Sequence, residues 1–185
     1  MRYSKSAGTF FPEEIEYPAL PDDLIDVPHE TYLAAMGRHH LATLDVVEGE
    51  LVIHDPTADA LLAQDKSVRA GKVSQACRAA IMGGFQSCAL GAAHTYPYTL
   101  TDQANLTAAA IAALSASPDS DWSAHLWCAN AAGHWAFARH TAAQVRQVHD
   151  DGMATTQARQ ERHRHLQDKI AKAKTAKAVQ AIAWD

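Results

Sequence analysis

Residues 122–139, WSAHLWCANAAGHWAFAR, decide the fold of the second part of the chain. Trp122 to Cys128 and His134 to Arg139 both alternate with the two-residue period of a strand. Between them, Asn130-Ala131-Ala132-Gly133 has the composition of a turn. The segment therefore predicts a β-hairpin. Four side chains are expected to meet across it: Leu126 and Cys128 from the first strand, Trp135 and Phe137 from the second.

Helical patterns lie before this hairpin. The chain turns helical near Ala58, and Gly83-Gly84 interrupts the pattern. The buried stripe of this helix is predicted to contain Val73, Ala76, Cys77, Ala80 and Ile81. Phe85 to Ala93 is interpreted as a second apolar helical segment, followed by a turn at Thr95-Tyr96-Pro97-Tyr98.

A third helix is predicted to begin at a cap within Thr99 to Asp102 and to end at Ser115 to Asp121. Its apolar stripe comprises Leu106, Ala110, Ala113 and Leu114. After the hairpin, His140 to about Lys174 has a helical composition, with Gly152 as its weak point. The apolar tail, Ala178 to Trp184, is expected to dock on the domain because a tryptophan is unfavourable in water.

The N-terminal part has a different pattern. Residues 1–56 contain short β-type runs: Arg2 to Ser4, Thr9 to Phe11, Leu41 to Val47 and Leu51 to His54, with a turn at Glu48-Gly49-Glu50. Pro28 opens a short helix that Gly37 stops, and Asp55-Pro56-Thr57 closes the unit. We therefore predict an α+β fold: a small β-rich N-terminal unit over residues 1–56, then a mainly helical domain with a β-hairpin over residues 57–185.

Composition limits the function. Hydrophobic residues make up 48% of the chain and charged residues 20%, as in ordinary globular proteins. Residues 1–65 contain 13 acids and 3 bases, whereas residues 66–185 contain 8 acids and 13 bases. These opposite charges favour attraction between the two parts, within one molecule or across a dimer. The acidic total disfavours nucleic acid, and no apolar run suits a membrane span or a signal peptide.

One group of uncharged and acidic polar residues lies among apolar neighbours and forms the candidate site. Its members are His94, Asp102, Gln103, Asn105, His140 and Gln144. Helical spacing turns Gln103 toward the face of Leu106, and it places His140 and Gln144 as a polar pair at one helix start. A buried amide or imidazole without a partner costs about 1 to 3 kcal/mol. We expect an internal hydrogen-bond network that supports a binding surface, with direct ligand contact as the alternative.

Catalytic and metal signatures are weak. His94, Cys128, His134 and His140 are metal-ligand types, yet the chain has no HExxH or CxxC spacing. No serine lies in a GxSxG elbow. Cys77, Cys88 and Cys128 are interpreted as buried reduced thiols. We therefore expect no catalytic residue, no metal and no cofactor.

Several short motifs, in order, resemble a family. They include His94-x-Tyr96-Pro97, Asp102-Gln103-x-Asn105-Leu106, Trp127-Cys128, Gly133-x-Trp135 and His140-Thr141-Ala142-Ala143-Gln144. From about Asp65 to Trp184 the chain resembles DUF4376, a domain of unknown function found in tail-fibre-region proteins of tailed phages and prophages. The N-terminal stretch, with Gly8-x-Phe10-Phe11 and Ile25-Asp26-Val27-Pro28, is similar to the opening of phage tail-fibre assembly proteins.

The resemblance implies a chaperone that binds the C-terminal tip of a trimeric tail fibre and promotes its folding or trimerisation. It implies a location in the host cytoplasm, or retention at the fibre tip of the virion. A structural tip component that contributes to host-surface recognition is the alternative function. A small enzyme that acts on cell-surface glycan through the His-Asp-Gln-Asn group is a third hypothesis.

Overall fold

A computed structural model describes residues 1–117 and 121–184 of the chain. This part of the chain consists of antiparallel strands and helices. The elements are β1 (Arg2–Ser4), β2 (Thr9–Phe11), β3 (Leu24–Asp26), α1 (His29–Gly37), β4 (Thr43–Val47), β5 (Glu50–His54), α2 (Ala58–Met82), β6 (Phe85–Ser87), β7 (His94–Tyr96), α3 (Leu100–Leu114), β8 (Ser123–Ala129), β9 (Trp135–Thr141), α4 (Ala142–Lys172) and α5 (Ala176–Gln180). The described strands form sheets of order β2-β1-β3, β4-β5 and β6-β7-β8-β9. The predicted α+β class is therefore confirmed.

The chain divides into two compact units, Met1–Gln64 (unit 1) and Asp65–Asp185 (unit 2). The division falls within α2, whereas the sequence places the end of the first domain at Pro56. No described helix combines the length and the apolar character that a membrane span requires. The predicted end of the third helix, Ser115 to Asp121, lies partly outside the described residues.

Unit 1 is stabilised by aromatic contacts across its small sheet. Tyr3 in the central strand β1 is 3% exposed, and its ring centroid lies 5.0 Å from that of Phe10 on β2. Phe10 also makes an edge-on contact with Tyr32 of α1, with centroids 5.1 Å apart. Such ring pairs stabilise a fold beyond simple area burial. Strand β3, which the sequence did not predict, completes the sheet by pairing with β1.

Asp23 joins the β1–β2 turn to the segment that precedes β3. Its carboxylate accepts hydrogen bonds from the Ser4 hydroxyl at 2.6 Å, and from the N–H and hydroxyl of Ser6 at 2.7 and 2.8 Å. These hydrogen bonds lower the pKa of Asp23 to about 2. Because the folded pKa is depressed, the bonds contribute to stability at neutral pH, and that contribution is lost as the pH falls toward the folded pKa.

In unit 2, α4 packs against one face of the four-stranded sheet and against α3. The core between α4 and the sheet is aromatic and includes Phe85, Tyr96, Tyr98, Leu106, Cys128 and Val148. Ala110 and Ala113 of α3 meet Val145 of α4 in a second cluster. The C-terminal tail docks as predicted: Ile182 and Trp184 pack on the cluster of Val73, Leu166 and Ile170.

The prediction of a helix over Phe85 to Ala93 is wrong, because Phe85–Ser87 forms β6, which pairs with the following strand β7 in the register of Phe85 with Tyr96. The turn predicted at Thr95 and Tyr96 is accordingly part of β7. Gly84 has φ of +92°, and a side chain there would collide with the Tyr96 carbonyl. A glycine is therefore needed to end α2 and begin the strand pair. The short apolar run could not by itself distinguish a helix from strands.

Two other expectations are corrected. Cys88 is exposed, whereas Cys77 and Cys128 are buried as predicted. Leu114 is not part of the buried stripe of α3, since it is 70% exposed.

Gly152 is not a weak point in α4, which is continuous from Ala142 to Lys172. A β-carbon at Gly152 would lie 3.0 Å from Phe85 Cζ and 3.3 Å from Tyr98 Cε2. The two rings are themselves in edge-on contact, with centroids 4.9 Å apart. The missing side chain therefore lets α4 approach the aromatic core closely.

We predict that Gly152→Ala lowers the free energy of unfolding by about 1 to 3 kcal/mol, because overpacking outweighs the gain of about 1 kcal/mol in helix propensity. Gly71→Ala on α2 is the matched control, since a β-carbon there meets nothing within 4 Å. It should increase stability by about 0.5 to 1 kcal/mol. Urea unfolding monitored by circular dichroism measures both changes. Equal effects of the two variants would contradict the close packing.

Candidate functional site

The four-stranded sheet has one covered face and one open face. On the covered face, Phe85, Tyr96, Cys128 and His140 are each buried against the helical layer. Gln86 pairs with Thr95, Thr95 with Ala129, and Ala129 with Trp135, so these four residues lie together on the opposite face. Side chains of alternate residues point to opposite faces of a sheet. The open face carries Gln86, Thr95, His125, Trp127, Trp135, Phe137 and Arg139.

Three large rings dominate this open face. Trp127 is 43% exposed, Trp135 is 44% exposed and Phe137 is 67% exposed. The indole rings of Trp127 and Trp135 are nearly parallel, at 20° with centroids 6.0 Å apart, and Phe137 lies 4.9 Å from Trp127. We call these three residues the aromatic face. Exposed apolar patches of this kind are uncommon on folded chains, so the aromatic face is a candidate interaction surface.

The β8–β9 turn brings the three rings to one face. Asn130 Oδ1 accepts hydrogen bonds from the N–H groups of Ala132 at 3.0 Å and His134 at 3.1 Å. Gly133 adopts φ of +79°, a region that glycine enters without strain. The turn sets the register in which Trp127 lies opposite Phe137.

The hairpin itself is confirmed, but the predicted contact across it is wrong. Leu126 and Cys128 lie opposite Ala138 and Ala136, not opposite Phe137 and Trp135. A shift of one residue in register exchanges the two faces of a strand. The aromatic rings are therefore exposed, whereas the sequence pattern predicts them beside Leu126 and Cys128.

A cleft of about 130 Å³ adjoins the aromatic face, between β8 and the N-terminal half of α3. Trp127 and Phe137 form part of its wall, and Asp102, Asn105 and His125 supply polar groups. The remaining lining residues are Tyr96, Pro97, Leu106 and Leu126. The cleft thus combines aromatic walls with an imidazole, an amide and a carboxylate.

His140 supports the cleft from below. Its side chain is fully buried, and the Ala138 carbonyl lies 2.8 Å from its Nδ1. A carbonyl only accepts, so Nδ1 carries the proton and Nε2 is free to accept from the Tyr96 hydroxyl at 2.8 Å. Tyr96 in turn lines the cleft. His140 therefore positions a wall of the cleft without lining it.

The surroundings of His140 keep it neutral. Burial lowers its pKa, the hydrogen bond to the Ala138 carbonyl opposes that shift, and the nearby His94 and His125 lower the pKa further. Burial also raises the pKa of the Tyr96 hydroxyl. Both groups stay in their uncharged forms at neutral pH, which is the state that the hydrogen bond requires.

The structure places the other predicted site residues separately. Asp102 and Gln144 each complete a capping box, with Thr99 at the start of α3 and with Thr141 at the start of α4. His94 Nδ1 contacts the Ala92 carbonyl at 2.9 Å, and Gln103 donates to the Tyr98 carbonyl at 2.9 Å. Asn105 lies exposed on the cleft wall. The hydrogen bonds of the described residues join none of these six side chains to another.

The polar pair predicted from His140 and Gln144 does not form. His140 belongs to β9, and α4 begins only at Ala142, so the two residues do not have helical spacing. The Gln144 side chain instead accepts from the Thr141 N–H at 2.9 Å. Helix capping is therefore the role of Gln144.

The buried thiols are poor nucleophiles. Burial raises the pKa of Cys77 and of Cys128, so the reactive thiolate is disfavoured at neutral pH. Within residues 1–117 and 121–184, no three His, Cys, Asp or Glu side chains converge as a set of metal ligands.

Sequence reasoning missed His125 and the exposure of the three rings. A signal was present in the second strand, where the residues alternating with Trp135, Phe137 and Arg139 are small or become buried: Ala136, Ala138 and His140. Small residues suit the strand face that an adjacent helix approaches closely. That pattern would have assigned the large rings to the open face.

We predict that protonation of His140 destabilises unit 2. Its folded pKa lies below the ordinary value of about 6.5, so stability is fully present above that pH and falls as the pH drops through the folded pKa. His140→Gln should reduce the free energy of unfolding by about 1 to 3 kcal/mol at pH 7.5. It should also remove part of the decrease between pH 7.5 and 5.

Urea unfolding at several pH values measures this dependence. His165→Gln, at an exposed position on α4, is the control and should lower the free energy of unfolding at pH 7.5 by less than His140→Gln does. An unchanged pH dependence in His140→Gln would show that His140 is not the titrating group.

Comparison with known proteins assigns the chain to a family. A family model described as a domain of unknown function, DUF4376, matches residues 64–183. That range coincides closely with unit 2, which begins at Asp65 and contains the aromatic face and the cleft. No curated protein and no solved structure matches the chain. The match covers well over half of the sequence, and the chain belongs to the DUF4376 family.

Proposed function

We propose that this chain is a phage or prophage tail-fibre assembly chaperone. It binds the C-terminal tip of a trimeric tail fibre and promotes folding or trimerisation of the fibre. The resemblance of the motifs from about Asp65 to Trp184 to a domain of phage tail-fibre-region proteins supports the setting, as does the resemblance of the first 32 residues to tail-fibre assembly proteins. The observation that carries the proposal is the aromatic face of unit 2.

The aromatic face has the composition of a protein-binding hot spot. Tryptophan is enriched among residues whose truncation costs about 2 kcal/mol or more at interfaces. Trp127 and Trp135 pack side by side, so little side-chain freedom remains to be lost on binding. Arg139 lies at the rim, where Ser123 Oγ accepts from its Nε at 2.9 Å. An ordered arginine beside aromatic rings is typical of an interface.

The cleft offers an anchoring pocket beside these rings. Its volume of about 130 Å³ suits one apolar or aromatic side chain of a partner. An apolar segment of the fibre tip, exposed until trimerisation buries it, is the occupant of stated chemistry. The proposal assigns no catalytic step and no cofactor to the chain.

Co-expression with the C-terminal region of the cognate fibre tests the proposal. We expect soluble fibre trimers with the unmodified chain, and at least about tenfold weaker complex formation with Trp127→Ser/Phe137→Ser. Size-exclusion chromatography with light scattering measures the trimer, and pull-down measures the complex. Val68→Ser, which alters an exposed apolar residue on α2, is the matched control.

Two outcomes would contradict the proposal. A fibre that is equally soluble and trimeric without this chain has no need of the chaperone. Binding that survives the double substitution places the contact elsewhere. Circular dichroism and urea unfolding of the variants verify that the fold is intact.

The second candidate function is a structural tip component that stays on the virion and contacts the host surface. The observation in its favour is the exposed pair Asn105 and His125 next to Trp127 in the cleft. Flat rings beside amide and imidazole groups can stack on a sugar ring and hydrogen-bond its hydroxyl groups. Mass spectrometry of purified virions separates the two candidates: a retained chain favours the tip component, and its absence favours a departing chaperone.

A further inference from the structure

Helix α3 has an exposed face that is apolar. Leu100 is 73% exposed, Ile111 is 61% exposed and Leu114 is 70% exposed. A separate side of α3 is buried through Leu106, Ala110 and Ala113. A surface helix ordinarily has a charged or polar outer side. Both sides of α3 are therefore suited to packing.

The exposed residues follow the spacing of a helix–helix contact. They are Leu100, Ala104, Thr107, Ile111 and Leu114, which we call the α3 seam. The intervals of four, three, four and three residues keep these side chains in line along one side of a helix. The seam is centred on Thr107, with a leucine at either end.

The charge distribution indicates what covers the seam. Residues 66–185 contain 13 bases and 8 acids, and α2 and α4 carry most of these bases. Helix α3 has no basic residue, and its single acid, Asp102, is engaged with Thr99 in the capping box. Two copies of a basic unit repel each other except where their surfaces are uncharged. The seam is such a surface, so a second copy of this chain can pack on it without bringing like charges together.

We propose that two copies of the chain pair through their α3 seams, antiparallel about a twofold axis at Thr107. In that arrangement Leu100 of one copy lies opposite Leu114 of the other. Ala104 lies within about one residue's rise of the position opposite Ile111, so a small side chain adjoins a large one on each side of the axis. The antiparallel orientation also opposes the two helix dipoles favourably.

The length of the seam limits the area that the dimer can bury, and hence its affinity. Helix α3 has 15 residues and is about 22 Å long, which places a single helix pair at the lower end of stable interface sizes. Leu100 also borders a hollow of about 580 Å³ whose lining includes Ile81 and Met82, and these extend the apolar surface. We expect a dissociation constant in the micromolar range.

Sedimentation velocity over about 5 to 200 µM protein tests the dimer, because a micromolar equilibrium changes over this range. The unmodified chain should shift from monomer to dimer. Ile111→Glu should weaken dimerisation at least about tenfold, because it buries a charge within the contact. Val68→Glu changes an exposed aliphatic residue of α2 in the same way and should leave the dimer intact. A monomeric unmodified chain, or equal effects of the two variants, would overturn the proposal.

Cross-linking tests the twofold axis. In a Cys88→Ser background the remaining Cys77 and Cys128 are buried, so an introduced thiol is the accessible one. Thr107→Cys should form an intermolecular disulfide rapidly on mild oxidation, since the two thiols meet at the axis. Ala112→Cys, exposed on α3 outside the seam, should cross-link at least about tenfold more slowly. Equal cross-linking of both positions would exclude the antiparallel seam.

The dimer and the proposed fibre binding fail separately. Trp127→Ser/Phe137→Ser alters the aromatic face and should leave sedimentation unchanged. Ile111→Glu alters the α3 seam and should leave fibre binding by each chain intact. A loss of dimerisation in the aromatic double variant would instead show that the copies pair through that face, and would refute the seam.

Discussion

The close approach of α4 to the aromatic core at Gly152 is the contact on which unit 2 depends. Phe85 and Tyr98 pack where a side chain at Gly152 would stand, and Phe85 stacks on Tyr96 with centroids 5.6 Å apart. This packing covers one face of the sheet with a helix. The other face then has no described element of unit 2 across it, and the hairpin register places the large rings there.

The polar groups inside this core are arranged to stay uncharged. His140 accepts from Tyr96 and donates to a backbone carbonyl, so each polar atom has a partner without an ion. Buried polar groups add stability only when they are satisfied, and a charge here would cost much more. His140 was predicted as part of a polar network. It instead makes a short chain of hydrogen bonds that holds a wall of the cleft.

The surface of unit 2 combines charged and uncharged regions. Most of its Lys and Arg residues lie on α2 and α4, whereas α3 and the open sheet face present apolar side chains. An uncharged apolar region on an otherwise basic surface favours association at that region alone. The aromatic face and the α3 seam are two such regions, and they lie on different elements.

The sequence by itself determined those features that depend on near neighbours in the chain. It indicated the β8–β9 hairpin, the start of α3 near Thr99, the docked tail and the α+β class, because strand alternation, capping residues and apolar runs are local signals. Tertiary structure alone decided which hairpin face is covered, that Gly152 is a packing site, and that Phe85 to Ser87 is a strand. Each of these depends on a contact that forms only when separate elements pack: α4 on the sheet face, Phe85 on Gly152, and Tyr96 beside Phe85 in the strand pair. Periodicity indicates which side chains lie on the apolar face of an element, but only the folded chain shows which element covers that face.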